Sequence, residues 1–265
     1  AVPADKVLRL TMLLHDIAKP ACRTTDKKGV DHFYGHPEEG AKMMSWLQTN
    51  SLYLLLTAGT IFNVFWLYRM RRQLQMKWYA VLILSVLHTA IGVCSVKVFA
   101  FLESGDIGNM SLFGGVFFMP AAYWLGAKLT KRPYCKVCDV FTPCMLFTLM
   151  CARVNCIVAG CCSGLVIPGT HVHFPTRELE ILYYIVMLIL LVPRVKKSKN
   201  PGSTYPLYMA SYGAFRFLDE FFRTSSTGML FHLSHVWAAI AFAAGLSIYI
   251  EINARNHQRK KVIKK

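Results

Sequence analysis

Seven apolar runs separated by short polar connections constrain the fold of this 265-residue chain more than any other feature. A helix needs about 20 apolar residues to cross the hydrocarbon core of a bilayer. The runs lie at about residues 52–68, 78–102, 112–129, 137–158, 179–192, 205–222 and 230–252. They predict an all-α, polytopic membrane protein with about seven transmembrane helices, of which the third and the fifth are the shortest or most interrupted.

The positions of the basic residues predict how these helices are oriented. The formal net charge is +16, although only 17% of the residues are charged. Every second connection is basic, namely 69–77, 128–136, 194–199 and the tail 255–265, whereas 103–111, 160–175 and 224–228 contain no Lys or Arg. Because Lys and Arg are enriched in cytoplasmic loops, the N-terminus is expected outside and the C-terminus in the cytoplasm. Because the basic residues lie between apolar runs, they indicate a membrane protein, and no nucleic-acid partner is expected.

The first fifty residues differ from the rest of the chain in being polar and of mixed charge. They predict a short soluble helical fragment ahead of the membrane region. The predicted division is a fragment at 1–49, a transmembrane domain at 50–254 and a basic cytoplasmic tail at 255–265.

This N-terminal fragment carries the doublet His15–Asp16, which can ligate a divalent metal when further His and Asp residues converge on it. The run LLHDIAKPACRTTDKKGVDHFYGHPEEGAKMM resembles the HD metal-dependent phosphohydrolase domain of the CCA-adding tRNA nucleotidyltransferases, over about residues 1–48. His32 and His36 are further candidate ligands. No later soluble segment supplies the closing Asp, so His15 and Asp16 are weak metal candidates and a truncated or fused fragment is expected.

Several charged residues lie inside the apolar runs. Arg153 lies within CARVNCIVAGCCSG. In SYGAFRFLDEFFR, steps of three, four and seven place Arg216, Asp219, Glu220 and Arg223 on one helical face, and Glu220 at i+4 is the predicted internal partner of Arg216. Ionisable groups inside a bilayer are costly unless they are paired or in a wet cavity, which makes them functional candidates. Arginine is suited to phosphate because its planar fork donates two parallel hydrogen bonds. The structural alternative is an Arg–Glu bridge between helices.

Five segments together resemble a known family. In chain order MSLFGG, ARVNCIVAGCCSG, PTRELE, SYGAFRFLDEFFR and LSHVW are similar to the prolipoprotein diacylglyceryl transferases, over about residues 51–252. The most specific piece is Tyr-Gly-x-x-Arg-Phe-x-x-Glu-Phe-x-Arg, which runs from Tyr212 to Arg223. The resemblance implies a bacterial inner-membrane, multi-pass enzyme with seven transmembrane helices, in agreement with the orientation predicted from charge.

The resemblance also implies a reaction and the residues that serve it. A diacylglyceryl group passes from phosphatidylglycerol to the lipobox cysteine of a preprolipoprotein, whose own thiol attacks, so no cofactor is expected. The predicted partners are therefore phosphatidylglycerol, the lipobox segment and membrane lipids. Arg153 and Arg216 match the two central arginines and are predicted to be catalytic through their charge. The predicted substrate-binding residues are Tyr53, Gly114, Gly115, Gly164, Tyr212, Glu220 and Arg223.

The chain departs from the family pattern at several positions. The family's His-Gly-Gly is Phe113-Gly114-Gly115 here, and an Asn and a Glu of the arginine signature fall at Cys156 and Cys161, which indicates a divergent Gly-Cys-Cys branch. His171, His173 and His235 are predicted to face the outer side, without a matching position. The adjacent Cys161 and Cys162 are expected to pack as small apolar residues, with oxidation as the alternative. Cys135 and Cys138 lack the further ligands that zinc requires.

Two other functions remain open at this point. A catalytically impaired or differently specific relative would bind anionic phospholipid without forming a thioether. A membrane-anchored HD-type phosphohydrolase would require a complete ring of His and Asp ligands, which the sequence lacks.

Overall fold

A computed structural model describes residues 16–106, 108, 110–197, 200–223 and 231–263. These residues form seven helices and one small hairpin. The helices are α1 (His36–Met70), α2 (Trp78–Ser104), α3 (Phe113–Leu129), α4 (Tyr134–Val158), α5 (Thr176–Lys196), α6 (Thr204–Glu220) and α7 (Leu233–Ile263). The hairpin pairs β1 (Thr24–Thr25) with β2 (Asp31–His32) in antiparallel register, with Thr24 opposite His32.

Four of the helices are long and apolar enough to cross a membrane: α1, α2, α4 and the part of α7 at Leu233–Gln258. The prediction of a helical membrane protein is therefore confirmed. The helices α3 and α6 have 17 residues each, which at about 1.5 Å per residue is shorter than a ~30 Å hydrocarbon core. The helix α5 has Glu178 in its first turn and Arg194 and Lys196 in its last turn. The count of seven crossings and their orientation stay predictions.

The N-terminal fragment, which was predicted to be helical, contains the β1–β2 hairpin ahead of α1. The helix α1 continues from His36 to Met70 through the predicted boundary near residue 50, and the three-part domain division stays a prediction. His15 lies outside the described residues. Asp16 pairs with Lys19 at 2.9 Å and lies 3.9 Å from His36 Nε2, and the HD-like character of this fragment also stays a prediction.

The helix α4 lies at the centre of the bundle. It packs against α1, α3, α5 and α6, and its residues from Val137 to Leu146 are all buried. The Trp66 indole of α1 donates a hydrogen bond of 2.8 Å to the Val140 carbonyl oxygen. Because Pro143 has no N–H, one carbonyl of the preceding turn lacks its usual helical partner. The buried central position of α4 fixes where its C-terminal end, and with it Arg153, lies.

Two helix crossings depend on glycine. A Cβ on Gly114 of α3 would lie 2.1 Å from the Ser95 carbonyl oxygen of α2, and a Cβ on Gly213 of α6 would lie 2.4 Å from the Phe242 nitrogen of α7. At Gly115 the nearest atom would be Leu149 Cδ2 at 3.4 Å, an ordinary contact. Gly114 therefore has a packing role, and the predicted substrate contacts of Gly114 and Gly115 stay predictions.

Candidate functional site

Three helix ends bring arginines and carboxylates together at one end of the bundle. Arg153 lies in the last turns of α4, Glu180 in the first turns of α5, and Arg216, Asp219 and Glu220 in the last turns of α6. All five residues are buried, with exposures between 0% and 6%. Arg223 lies three residues after the end of α6. We call these six residues the arginine–carboxylate cluster.

Glu180 is the centre of this cluster. Its Oε2 lies 2.7 Å from Arg153 Nε, and its Oε1 accepts hydrogen bonds from the Tyr184 and Tyr212 hydroxyls at 3.0 and 3.1 Å. A buried carboxylate is tolerated when it is both paired and hydrogen-bonded, and Glu180 meets both conditions. The Tyr212 bond links α6 to α5, because Tyr212 lies one turn before Arg216.

Arg216 makes the second set of ion pairs. Its two terminal nitrogens lie 2.9 Å from Asp219 Oδ2 and 2.6 Å from Glu220 Oε2. The Arg223 Nε lies 3.7 Å from the same Glu220 oxygen. The prediction that Glu220 is the i+4 partner of Arg216 is thereby confirmed.

The two sets of ion pairs form one electrostatic unit. The Glu180 carboxylate is attracted to Arg153, Arg216 and Arg223, and Arg153 and Arg216 repel each other. The arginines from α4 and α6 therefore lie within electrostatic range of one another. Arg153 and Glu180 also form the Arg–Glu bridge between helices that was the structural alternative, and the predicted anion-binding role of the arginines stays a prediction. Three arginines face three carboxylates, so the formal charges of the cluster balance. Arg223 has the longest ion pair and an 18% exposed side chain, which makes it the most accessible cation of the three.

The connection between α4 and α5 closes over the end of α6 at Gly164. Gly164 forms an isolated antiparallel bridge with Arg223, and the Leu165 N–H donates to the Phe222 carbonyl oxygen at 2.8 Å. A Cβ at Gly164 would lie 2.3 Å from the Phe174 carbonyl oxygen. Glycine is required here because backbone approaches from two sides, and this approach places the loop beside Arg223.

Three cysteines meet at the start of the same loop. The Sγ atoms of Cys156, Cys161 and Cys162 all lie within 4.8 Å of one another. The expectation that Cys161 and Cys162 pack as small apolar residues is wrong, because both are exposed. A hydrogen bond from the Cys156 thiol lowers the pKa of Cys162 to about 4, with partial burial opposing it and the Arg223 and Arg153 charges assisting. Of the two thiols that follow α4, the pKa is thus lowered at Cys162 and raised at Cys161.

The remaining predicted residues lie in different surroundings. Tyr53 is 69% exposed on α1, and none of the ion pairs or hydrogen bonds of the cluster described above reaches it. Phe113 is 3% exposed, with its ring 6.0 Å from the Tyr212 ring in an edge-on arrangement. An apolar ring thus lies beside the cluster, and the match of Phe113 to the family histidine stays a prediction.

His235 of α7 lies beside α6 in an aromatic setting. It is 2% exposed, and its ring lies 5.3 Å from Phe217 and 4.6 Å from Phe221. Its Nδ1 accepts a hydrogen bond from the His232 N–H at 3.1 Å, so the neutral ring carries its proton on Nε2. Among the described residues this Nε2 has no hydrogen-bond partner. An apolar groove of about 440 Å³ passes His235, lined also by Phe217, Phe231, Val236, Ala239 and Ile240.

Sequence reasoning missed several members of this site. Glu180 lies in the segment PTRELE but was not predicted to act, whereas the structure makes it the central carboxylate. Asp219 lay on the predicted charged face but was not predicted to act. Arg177 donates to the carbonyl oxygens of Cys156 and Cys161 at 3.2 and 3.0 Å. A signal for Glu180 existed in the spacing to Tyr184, because i and i+4 residues are neighbours on a helix.

Comparison with known proteins points to one family. The family model for prolipoprotein diacylglyceryl transferase matches residues 94–251. Enzymes with the full name phosphatidylglycerol–prolipoprotein diacylglyceryl transferase are among the similar proteins. That of Chlorobaculum tepidum is 28% identical over 161 residues, 54% of this chain and 56% of the relative. That of Dehalococcoides mccartyi is 20% identical over 237 residues, 79% of this chain and 91% of the relative. The chain thus spans about half the length of the first of these relatives and nearly all of the second.

Proposed function

The chain belongs to the prolipoprotein diacylglyceryl transferase family, and from this premise we propose that it transfers a diacylglyceryl group from phosphatidylglycerol to the cysteine thiol of a lipoprotein precursor. The observation that carries the proposal is the convergence of Arg153 and Arg216 from separate helices through Glu180. We also propose that it crosses the bacterial inner membrane seven times, with the N-terminus outside. This follows the alternation of basic connections with connections that contain no Lys or Arg.

The reaction requires electrostatic stabilisation more than a protein nucleophile. The substrate thiol loses its proton to solvent and its sulfur forms a C–S bond with the terminal glycerol carbon of the diacylglyceryl group. The C–O bond from that carbon to the phosphate breaks, and its electron pair leaves with glycerol phosphate. Negative charge thus builds on the departing phosphate, where fixed guanidinium groups stabilise it in a low-dielectric site. Arg153 and Arg216 have this role in the proposed mechanism.

The balanced charges of the cluster define how a phosphate enters it. Arg223 is the most accessible cation and holds Glu220 only at 3.7 Å. A lipid phosphate binds Arg223 first and then replaces a carboxylate as the partner of Arg216. Glu180 and Tyr212 keep Arg153 in place during this exchange. The arginine–carboxylate pairs thus hold the guanidinium groups in position before the lipid arrives.

His235 and its groove provide for the rest of the lipid. The groove is lined almost wholly by apolar side chains of α6 and α7 and accommodates an acyl chain of phosphatidylglycerol. The Nε2–H of His235 is a buried donor without a partner among the described residues. It donates to the headgroup in this proposal, and it does not act as a base because its other ring nitrogen already accepts a hydrogen bond.

One observation favours a second candidate, a relative that binds anionic phospholipid without transfer. Phe113 places an apolar ring beside Tyr212, where the resemblance predicts an imidazole. Such a protein would keep the arginines and their lipid affinity but would lack a group to assist thiol deprotonation. The two candidates differ in product and not in lipid binding.

A lipidation assay separates them. Purified full-length protein in phosphatidylglycerol vesicles is expected to add one diacylglyceryl unit to a lipobox peptide, measured by mass spectrometry. A peptide with Ser in place of the acceptor Cys, and vesicles of phosphatidylcholine, are the controls and are expected to show no gain. Binding of phosphatidylglycerol without any mass gain would replace the transferase proposal with the lipid-binding one.

A further inference from the structure

We propose that Cys156, Cys161 and Cys162 form a binding site for a thiophilic d10 metal ion, Cu(I) or Zn(II), at the C-terminal end of α4. The three sulfur atoms lie within 4.8 Å of one another. They are the one group of three or more potential ligands at such distances among the described residues. Soft thiolate ligands select Cu(I) and Zn(II) over harder divalent ions.

The spacing of the sulfur atoms is close to what such an ion requires. A Zn–S bond of about 2.3 Å in a tetrahedral site places neighbouring sulfurs roughly 3.8 Å apart. The present spacing therefore needs a contraction of at most about 1 Å, which side-chain rotation supplies because Cys161 and Cys162 are exposed. Three protein ligands leave one coordination position open on zinc, and they complete a trigonal site for Cu(I).

The backbone bends back to bring the three thiols together. The Cys161 N–H donates to the Cys156 carbonyl oxygen at 3.1 Å. Cys162 has φ of 56°, in the left-handed region that a residue with a Cβ rarely adopts. Such a conformation costs energy and tends to occur where a local function requires it. The turn would be less strained with glycine at this position, yet the chain has a thiol there.

The surrounding charges suit a thiolate-rich site. Three thiolates leave a net charge of −1 around Zn(II) and −2 around Cu(I). Arg223 and Arg153 lie close enough to stabilise negative charge at Cys162. Arg177 donates hydrogen bonds to the backbone carbonyl oxygens of Cys156 and Cys161. These bonds hold the backbone of two of the ligands in the turn that brings the thiols together. The site therefore lies next to the arginine–carboxylate cluster but does not share its residues as ligands.

Metal titration of the purified full-length protein tests this proposal. The reduced protein is mixed with Cu(I) or Zn(II) in competition with a chromophoric chelator, and the metal bound per chain is measured. Wild type is expected to bind one equivalent of at least one of the two ions. Cys161→Ser is expected to weaken the binding at least about tenfold, because it removes a ligand. Cys94→Ser, which changes an exposed cysteine on α2, is the matched control and is expected to bind like wild type.

Three results would overturn the site. The first is that wild type competes for neither ion, and the second is that Cys161→Ser and Cys156→Ser both bind like Cys94→Ser. The third is a disulfide between two of the three cysteines in protein purified without reductant, seen as a mass lower by two hydrogens. Equal melting temperatures of Cys161→Ser and Cys94→Ser would show that any loss of binding is not a loss of folding. None of these readouts depends on transferase activity.

Discussion

Replacement of Arg216 by alanine is expected to abolish diacylglyceryl transfer and to lower the free energy of unfolding by about 3–5 kcal/mol. The guanidinium holds Asp219 at 2.9 Å and Glu220 at 2.6 Å, and all three side chains are nearly fully buried. Without it, two carboxylates remain in a low-dielectric site with only Arg223 at 3.7 Å from one of them. Removing one partner of a buried ion pair lowers the free energy of unfolding by much more than the intact pair contributes, because it leaves an uncompensated buried charge. Thermal denaturation in detergent and the lipidation assay measure the two effects.

An exposed pair of the same spacing supplies the control for this prediction. Arg255 pairs with Glu251 at i,i+4, with side chains 71% and 59% exposed. Arg255→Ala is expected to cost no more than about 0.5 kcal/mol and to leave transfer unchanged. Arg216→Lys keeps the charge but loses the fork, and is expected to fold while transferring about 10²–10³-fold more slowly. Full transfer by a folded Arg216→Lys protein would contradict the proposed role.

Glu180→Gln is expected to have the second large effect. The change keeps the shape of the side chain but removes the charge that pairs with Arg153 Nε at 2.7 Å. Arg153 is 6% exposed, so it would be left as a buried cation without its nearest counter-charge, at a cost of about 3–5 kcal/mol. The melting temperature and the transfer rate are expected to fall together, because Arg153 would no longer be held beside Arg216.

Glu251→Gln is the matched control, because the Glu251 side chain is 59% exposed and pairs with Arg255 one turn further along the same helix. It is expected to melt close to wild type. If the Glu180→Gln protein has the same melting temperature as the Glu251→Gln protein, Glu180 is not the centre of the cluster. A protein that is less stable yet transfers at the wild-type rate would separate the packing of Glu180 from catalysis.

Local spacing in the sequence predicted part of this site. The steps of three, four and seven between Arg216, Asp219, Glu220 and Arg223 placed them on one face, and the ion pairs lie there. Hydropathy predicted a helical membrane protein because long apolar runs have few other stable solutions. Hydropathy could not show how many of the shorter helices cross the membrane, because α3 and α6 have 17 residues each and about 20 are needed.

Contacts between distant segments were beyond local spacing. Glu180 and Tyr212 are 32 residues apart in sequence and meet only because α5 and α6 pack with their ends aligned. The cysteine cluster depends on a left-handed residue at Cys162, which the pattern Gly-Cys-Cys does not predict. The resemblance drew attention to Cys161 only as a departure from the family pattern. The packing role of Gly114 likewise follows from a crossing with α2 that only coordinates reveal.

The most direct test of the central claim is the energetic coupling between Arg153 and Arg216. The transfer rate from phosphatidylglycerol is measured for Arg153→Lys, Arg216→Lys and the double variant. If both guanidinium groups act on one phosphate, the double variant is expected to have nearly the same transfer rate as the less active single variant. The effects of replacing residues that act as a unit are not additive. Losses that multiply as independent effects would show that the two arginines serve separate sites.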